Sequence, residues 1–268
     1  MTTLTVPERL LSLGTDFTRH LDALKNTALL RGPNPAVNLW RHIPTTQALA
    51  REALAVSEAL RGMLRLYHSP DVRAAMQRSA QLGALATLAA DHLVDAADLL
   101  RATTPTSREQ AVTPHAEALP EARRCTTLAE QLTSLGAEDC LATARLTARE
   151  LHRQFLGAAH RPPALSPAQH TALEAIAAGR VTFDRQLDKP HVRSGGTRIA
   201  VSTIRSLESC GLAAREPCPL WLQDERIHLT ADGCRGLAAA FGRVKPPALT
   251  AARPASRPVA TAARIAAR

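Results

Sequence analysis

Along the first hundred residues the apolar positions recur at alternating spacings of three and four, as on one face of a helix turning about 100° per residue. Leu10, Leu13, Phe17, Leu21 and Leu24 form such a stripe behind Thr5-Val-Pro-Glu8, which has the form of a capping box. The pattern predicts a helix to about Leu30, stopped by Arg31-Gly-Pro-Asn-Pro35. In the loop that follows, Trp40 is expected to plug the end of a helical bundle. A second helix starts at Thr45 or Thr46 and carries Leu49, Ala53, Val56, Leu60, Met63 and Tyr67. Ser69-Pro-Asp71 opens a third with a serine cap, a proline at the first helical position and an acid near the positive dipole end. Its stripe of Val72, Ala75, Ser79, Leu82, Ala86, Ala89, Leu93, Ala96 and Leu100 runs to about Arg101, roughly 45 Å of helix. The heptad rhythm and alanine-rich seam predict a coiled-coil-like pair of long antiparallel helices, and a homodimer through them.

Two more helices are expected over residues 114–135 and 137–158, broken near Leu135-Gly136. Leu128, Leu132 and Leu135 mark the inner face of one; Leu141, Leu146, Leu151 and Phe155 mark that of the other. His160-Arg-Pro-Pro-Ala164 is the best domain boundary, because paired prolines stop a helix and stiffen a linker. Beyond it the elements shorten. Ser166-Pro-Ala-Gln169 opens a helix with Leu173 and Ile176 inward and Gly179 at its end. Residues 179–187 and 191–194 read as two strands around Asp188-Lys-Pro190. A helix over 197–211 is followed by a strand over 212–216, a loop over 217–225 and a returning strand over 226–229. Thr230 then caps a last helix.

Wound at helical pitch, the 197–211 segment gathers Ala200, Val201, Ile204, Leu207 and Gly211 on one side. Arg198, Ser202, Arg205, Ser206 and Ser209 gather on the other. An apolar back with a front of arginines and small hydroxyls suits a nucleic-acid groove, where arginine forks onto guanine or phosphate. Gly211 is placed to end the helix in a left-handed turn. This helix, its glycine stop, the hairpin, and Leu-Thr-x-x-Gly-x-x-x-Leu at residues 229–237 together resemble the winged helix-turn-helix of MarR-type transcription regulators. The resemblance covers roughly residues 161–242, with a β-hairpin standing where the family has a helix before the recognition helix. It implies that the front of the 197–211 helix enters the major groove while the hairpin touches flanking backbone. Arg193, Arg215 and Arg226 would then neutralise phosphates near the hairpins.

Composition narrows the picture. The chain has 268 residues, 45% hydrophobic but only 3% aromatic, which favours close-packed helices over β-architecture. The net charge of +9 is unevenly placed. Residues 1–160 hold 17 basic and 16 acidic side chains, residues 161–242 hold 10 and 8, and residues 243–268 hold 6 and none. That last stretch of alanine, proline and arginine cannot bury enough surface to fold and reads as a disordered basic tail. It would bind polyanions without reading sequence. The five cysteines are odd in number and lack a Cys-x-x-Cys, so reduced, mostly buried thiols in a cytoplasmic protein are expected. No basic and apolar leader opens the chain, and the most apolar run, 82–90, is too short to cross a bilayer.

Catalytic and cofactor signatures are missing: no His-Glu-x-x-His, no Walker loop, no Gly-x-Ser-x-Gly. His92 and Asp95 lie one helical turn apart, a spacing that exposed polar residues explain as well as a metal does. The expected architecture is mainly α: a helical bundle over 1–160, a winged-helix α+β module over 161–242 and the tail over 243–268. The expected function is non-enzymatic DNA binding by a dimeric transcriptional regulator, without cofactor or metal. A module for docking other proteins is the alternative, favoured by the apolar and acidic hairpin tip that holds Pro217, Trp221, Asp224 and Glu225.

Overall fold

The computed structural model describes residues 4–26, 29–30, 34–63, 69–102, 113–154, 164–184, 191–218 and 224–241. The fold is mainly helical with one small antiparallel sheet. Helix α1 spans Val6–Leu24, α2 Pro35–Trp40, α3 Ile43–Gly62, α4 Pro70–Ala102, α5 Thr113–Ser134 and α6 Gly136–Arg153. Then come α7 (Pro167–Ala177), β1 (Val181–Asp184), β2 (His191–Ser194), α8 (Val201–Ser209), β3 (Ala213–Pro217), β4 (Asp224–Leu229) and α9 (Ala231–Phe241).

Local chemistry accounts for most of the boundaries. The Thr5 backbone N–H donates to Glu8 Oε2 at 2.9 Å, which satisfies one of the orphan donors that begin α1. This helix stops at Leu24, six residues before the expected end. The Leu29 N–H turns back to the Asn26 carbonyl at 3.0 Å, so the chain takes a turn at asparagine, a residue whose side chain competes with the helical backbone. The expected loop around Trp40 holds α2 instead, with a proline in its first turn. The residue that plugs the core there is Leu39, fully buried, whereas Trp40 is 41% exposed. Ser69 caps α4 as expected, accepting the Asp71 N–H at 3.2 Å. All nine positions of its expected stripe are buried, from Val72 through Leu93 to Leu100.

The inner face of α5 differs from expectation. Ala122, Cys125, Thr126, Ala129 and Thr133 are buried, while Leu128 and Leu132 are half-buried and Leu135 is 51% exposed. Small side chains let α5 approach its neighbours closely. Buried threonines are tolerated because each hydroxyl donates to the carbonyl one turn back: Thr126 to Ala122 at 2.8 Å and Thr133 to Ala129 at 2.7 Å. On α6, Leu141 is buried but Leu146 and Leu151 are only half-buried, and Thr143 and Thr147 repeat the same back-bonding.

Two apolar clusters form. The smaller joins Leu24, Leu39 and Ile43 to the second half of α4 and to Ala122, Cys125 and Ala129. The larger runs from Leu10 and Phe17 of α1 through Val56, Leu82 and Cys140 into Leu173, Val181, Ile204, Ile227 and Leu237. The helices before residue 154 and the elements after residue 164 therefore share one core. The boundary expected at residues 160–164 falls almost entirely outside the described residues, as do Tyr67, Phe155, Trp221 and the whole of 243–268.

The sheet has the order β2-β1-β4-β3 with every pair antiparallel. Its register sets Thr182 opposite both Arg193 and Arg226, and Arg215 opposite Ile227. The strands expected around residues 188–190 are both present. Helices α7 and α8 end alike: Gly179 and Gly211 each adopt φ +69°, and the N–H of the residue after each returns five residues, Arg180 to Ala175 and Leu212 to Leu207. Of the cysteines, four are buried and Cys210 is exposed; none is disulfide-bonded.

Candidate nucleic-acid interface

The α8 surface is built from the caps inward. Its first turn begins at Val201 rather than at 197, because Ala200 is extended and acts as N-cap. Arg198 therefore precedes the helix, on the segment that follows the turn at Gly195-Gly196, and is exposed. Ile204 and Leu207 anchor the back of α8 in the larger core. On the outer side Ser202, Arg205 and Ser209 are exposed, and Ser206 is half-buried.

Ser206 is held from behind by Gln169. The Gln169 backbone N–H donates to Ser166 Oγ at 3.2 Å, its Oε1 accepts the Ser166 N–H at 2.8 Å, and its Nε2 donates to Ser206 Oγ at 3.0 Å. One glutamine thus completes the cap of α7 and fixes the distance between α7 and α8. The capping motif was legible in Ser166-Pro-Ala-Gln169; that the same side chain reaches α8 was not.

The three hairpin arginines are placed differently from the expectation that they meet phosphate. Arg226 is largely buried, donating to both oxygens of Asp22 on α1, at 2.8 and 2.6 Å, and to the Gly179 carbonyl at 2.8 Å. Arg215 pairs with Glu208, reaches Glu225 at 3.4 Å, and lies 3.9 Å above the Phe183 ring centroid. Arg193 pairs with Asp184 and stands 3.4 Å from Asp224. Each guanidinium is occupied by carboxylates of its own chain, because cross-strand and inter-element neighbours supply buried or half-buried acids whose charge needs compensation. Arg198 and Arg205 differ: among the described residues neither has a carboxylate within ion-pair distance.

The same pairing fixes the module onto the bundle. Besides Asp22–Arg226, Arg19 on α1 donates to Glu216 on β3, with Nε to Oε2 at 2.8 Å. That bond raises the Arg19 pKa and lowers that of Glu216. Sequence reasoning missed Asp22, Arg19 and Glu216, whose partners are about two hundred positions away and leave no local pattern.

Among the described residues no group of three or more His, Cys, Asp or Glu side chains is arranged to hold a metal ion. Nor is any helix among them long and apolar enough to cross a membrane. No protein-family model, curated protein or solved structure matches the chain.

Proposed function

We propose that the protein binds DNA as a dimeric transcriptional regulator, with α8 and the segment leading into it set in the major groove. The observation that carries this reading is the division among the arginines. Arg205 on α8 and Arg198 on the segment leading into it stand exposed and, among the described residues, without a carboxylate partner, and the back of that helix is locked into the core. The element order supports it too. A strand after α7, a helix, and a hairpin whose second strand pairs with the first set β4 between β1 and β3, with β2 at the edge, an arrangement compatible with a winged helix. In this reading Arg205 contacts bases, Ser202 and Ser206 contact backbone, and the basic stretch 243–268 adds affinity without sequence preference. Dimerisation would use α3 and α4, where Leu54 and Leu88 are each about half exposed.

The deciding experiment measures DNA binding by the full chain, residues 1–242 and Arg205→Ala, on random and genome-selected fragments across a salt series. Preference for particular fragments that survives removal of 243–268 and disappears with Arg205→Ala supports the regulator. Binding that vanishes altogether with 243–268 overturns it. The module then becomes a surface for a protein partner, a reading favoured by the self-pairing of Arg193, Arg215 and Arg226.

A further inference from the structure

Between the C-terminal end of α1 and the outer side of α5 lies a recess of about 320 Å³, lower in volume than most drug-sized pockets but large enough for a small ligand. Its apolar wall is Leu24, Leu29 and Leu30; the first two are buried and Leu30 is half-buried. Its charged lining is Lys25, Arg123 and Glu130. Lys25 and Arg123 are both exposed, and among the described residues neither has a carboxylate within ion-pair distance. Their neighbour Arg124 shows the ordinary alternative, donating to Glu121 one turn away at 2.7 Å. Two exposed cations therefore flank a leucine wall. Glu130, whose carboxyl feels the charge of Lys25, offsets one of them, and the described lining keeps a formal excess of one positive charge, with Arg123 free of any carboxylate partner among the described residues.

We propose that this recess binds a small organic monoanion: a carboxylate held between Lys25 and Arg123, attached to an apolar body that lies on Leu24, Leu29 and Leu30. The charge count selects an anion over a cation or a neutral molecule, and the leucine wall selects an apolar body over inorganic phosphate. Arg123 supplies a planar fork that matches a carboxylate, and Lys25 a point charge on a flexible stem. Glu130 opposes the anion and limits its affinity. The recess meets a second cleft, of about 520 Å³, at Lys25 and Glu130. That cleft is also lined by Asp22, Gly179 and Arg226, so the apolar body has room to extend toward the junction of α1 with β4. This site stands whether or not α8 reads DNA.

The test is isothermal titration of the full chain with octanoate, and with octylammonium and 1-octanol as probes of the same apolar length. Octanoate should bind at a single site, about tenfold or more tighter than either control, since loss of one charge-assisted contact is worth roughly 1.4 kcal/mol. Lys25→Ala and Arg123→Ala should each weaken octanoate by about that factor, while Arg124→Ala leaves it unchanged. Glu130→Gln should tighten it, a gain that unfolding cannot produce. The proposal is overturned by any of three results: no octanoate binding to the full chain, equal binding of octylammonium, or an affinity indifferent to Lys25→Ala and Arg123→Ala.

Discussion

Arg226 and Asp22, 204 positions apart in the chain, form a two-pronged ion pair in which Nε meets one carboxylate oxygen at 2.8 Å and Nη2 the other at 2.6 Å. The pair ties β4 to α1, and the remaining Nη1 bonds the Gly179 carbonyl that ends α7. Three elements therefore meet on one guanidinium. Removing one partner strands a buried charge. Asp22→Ala should lower the unfolding free energy by about 3–5 kcal/mol, whereas the double replacement Asp22→Leu with Arg226→Met should cost much less, because no ion is then left buried. Urea denaturation of the two variants separates these outcomes, and equal losses would contradict the pairing.

His20 makes the fold sensitive to acid. Thr46 Oγ1 donates to the His42 carbonyl at 2.9 Å, so it accepts from His20, whose Nε2 lies 2.7 Å away. That assigns the proton of the neutral ring to Nε2 and leaves buried Nδ1 without a hydrogen-bond partner among the described residues. Burial, followed by the neighbouring charge of His42, lowers the His20 pKa from 6.5 to about 4. The unfolded chain therefore takes up a proton that the folded chain refuses. Stability is complete above pH 6.5 and declines as the pH falls toward 4, by an order of 3 kcal/mol in all. Denaturation midpoints measured from pH 7.5 to 4 should fall accordingly, and His20→Gln should flatten that limb.

Gly179 and Gly211 share φ +69° but not their surroundings. A Cβ at Gly211 meets nothing within 4 Å, whereas one at Gly179 would lie 2.4 Å from Thr18 Oγ1. Gly211→Ala should thus cost only the left-handed backbone, about 1–2 kcal/mol. Gly179→Ala should cost more, since Thr18 is itself fixed by its bond to the Gly14 carbonyl at 3.0 Å. Thr18→Ala in the Gly179→Ala background should recover part of the difference. Thermal melts of the parent, Gly179→Ala, Thr18→Ala and their double variant give the coupling directly.

These cases mark how far sequence reached. Every position of the expected α4 stripe is buried, because valine and leucine at Val72, Leu82, Leu93 and Leu100 set the phase for the small residues between them; Gly83, Ala90 and Ala97, buried as well, lie beside the stripe and are not read from it. The same reading misplaced the inside of α5, where alanine, cysteine and threonine do the packing and the leucines sit at the margin. Caps at Thr5, Ser69 and Ser166 and the stops at Gly179 and Gly211 were legible, being chemistry within four residues. On the candidate surface, Ser202 and Arg205 fell on the outer side of α8 as expected. Arg198 did not, since the helix starts three residues after it. The fate of Arg193, Arg215 and Arg226 was hidden altogether: an arginine's spacing does not say which distant or cross-strand acid will face it.

That distinction between free and paired arginines can be measured. Arg205 is exposed at a helix surface, with no ion pair to lose among the described residues, so Arg205→Ala should alter stability by no more than about 0.5 kcal/mol. Arg215 is largely buried, bonds Glu208 and covers the Phe183 ring. Its removal uncovers the ring and strips compensation from Glu208 and Glu225, and should destabilise by about 1–3 kcal/mol. If α8 reads DNA, the rank order reverses for affinity: Arg205→Ala loses discrimination between fragments, about 1–3 kcal/mol at the bases it touches. Arg215→Ala, compared at a temperature where it remains folded, loses little. Denaturation and fluorescence anisotropy on the same two variants test both halves. A variant at Arg215 that weakens DNA binding as strongly as one at Arg205 would show that phosphate competes successfully with Glu208 for that guanidinium.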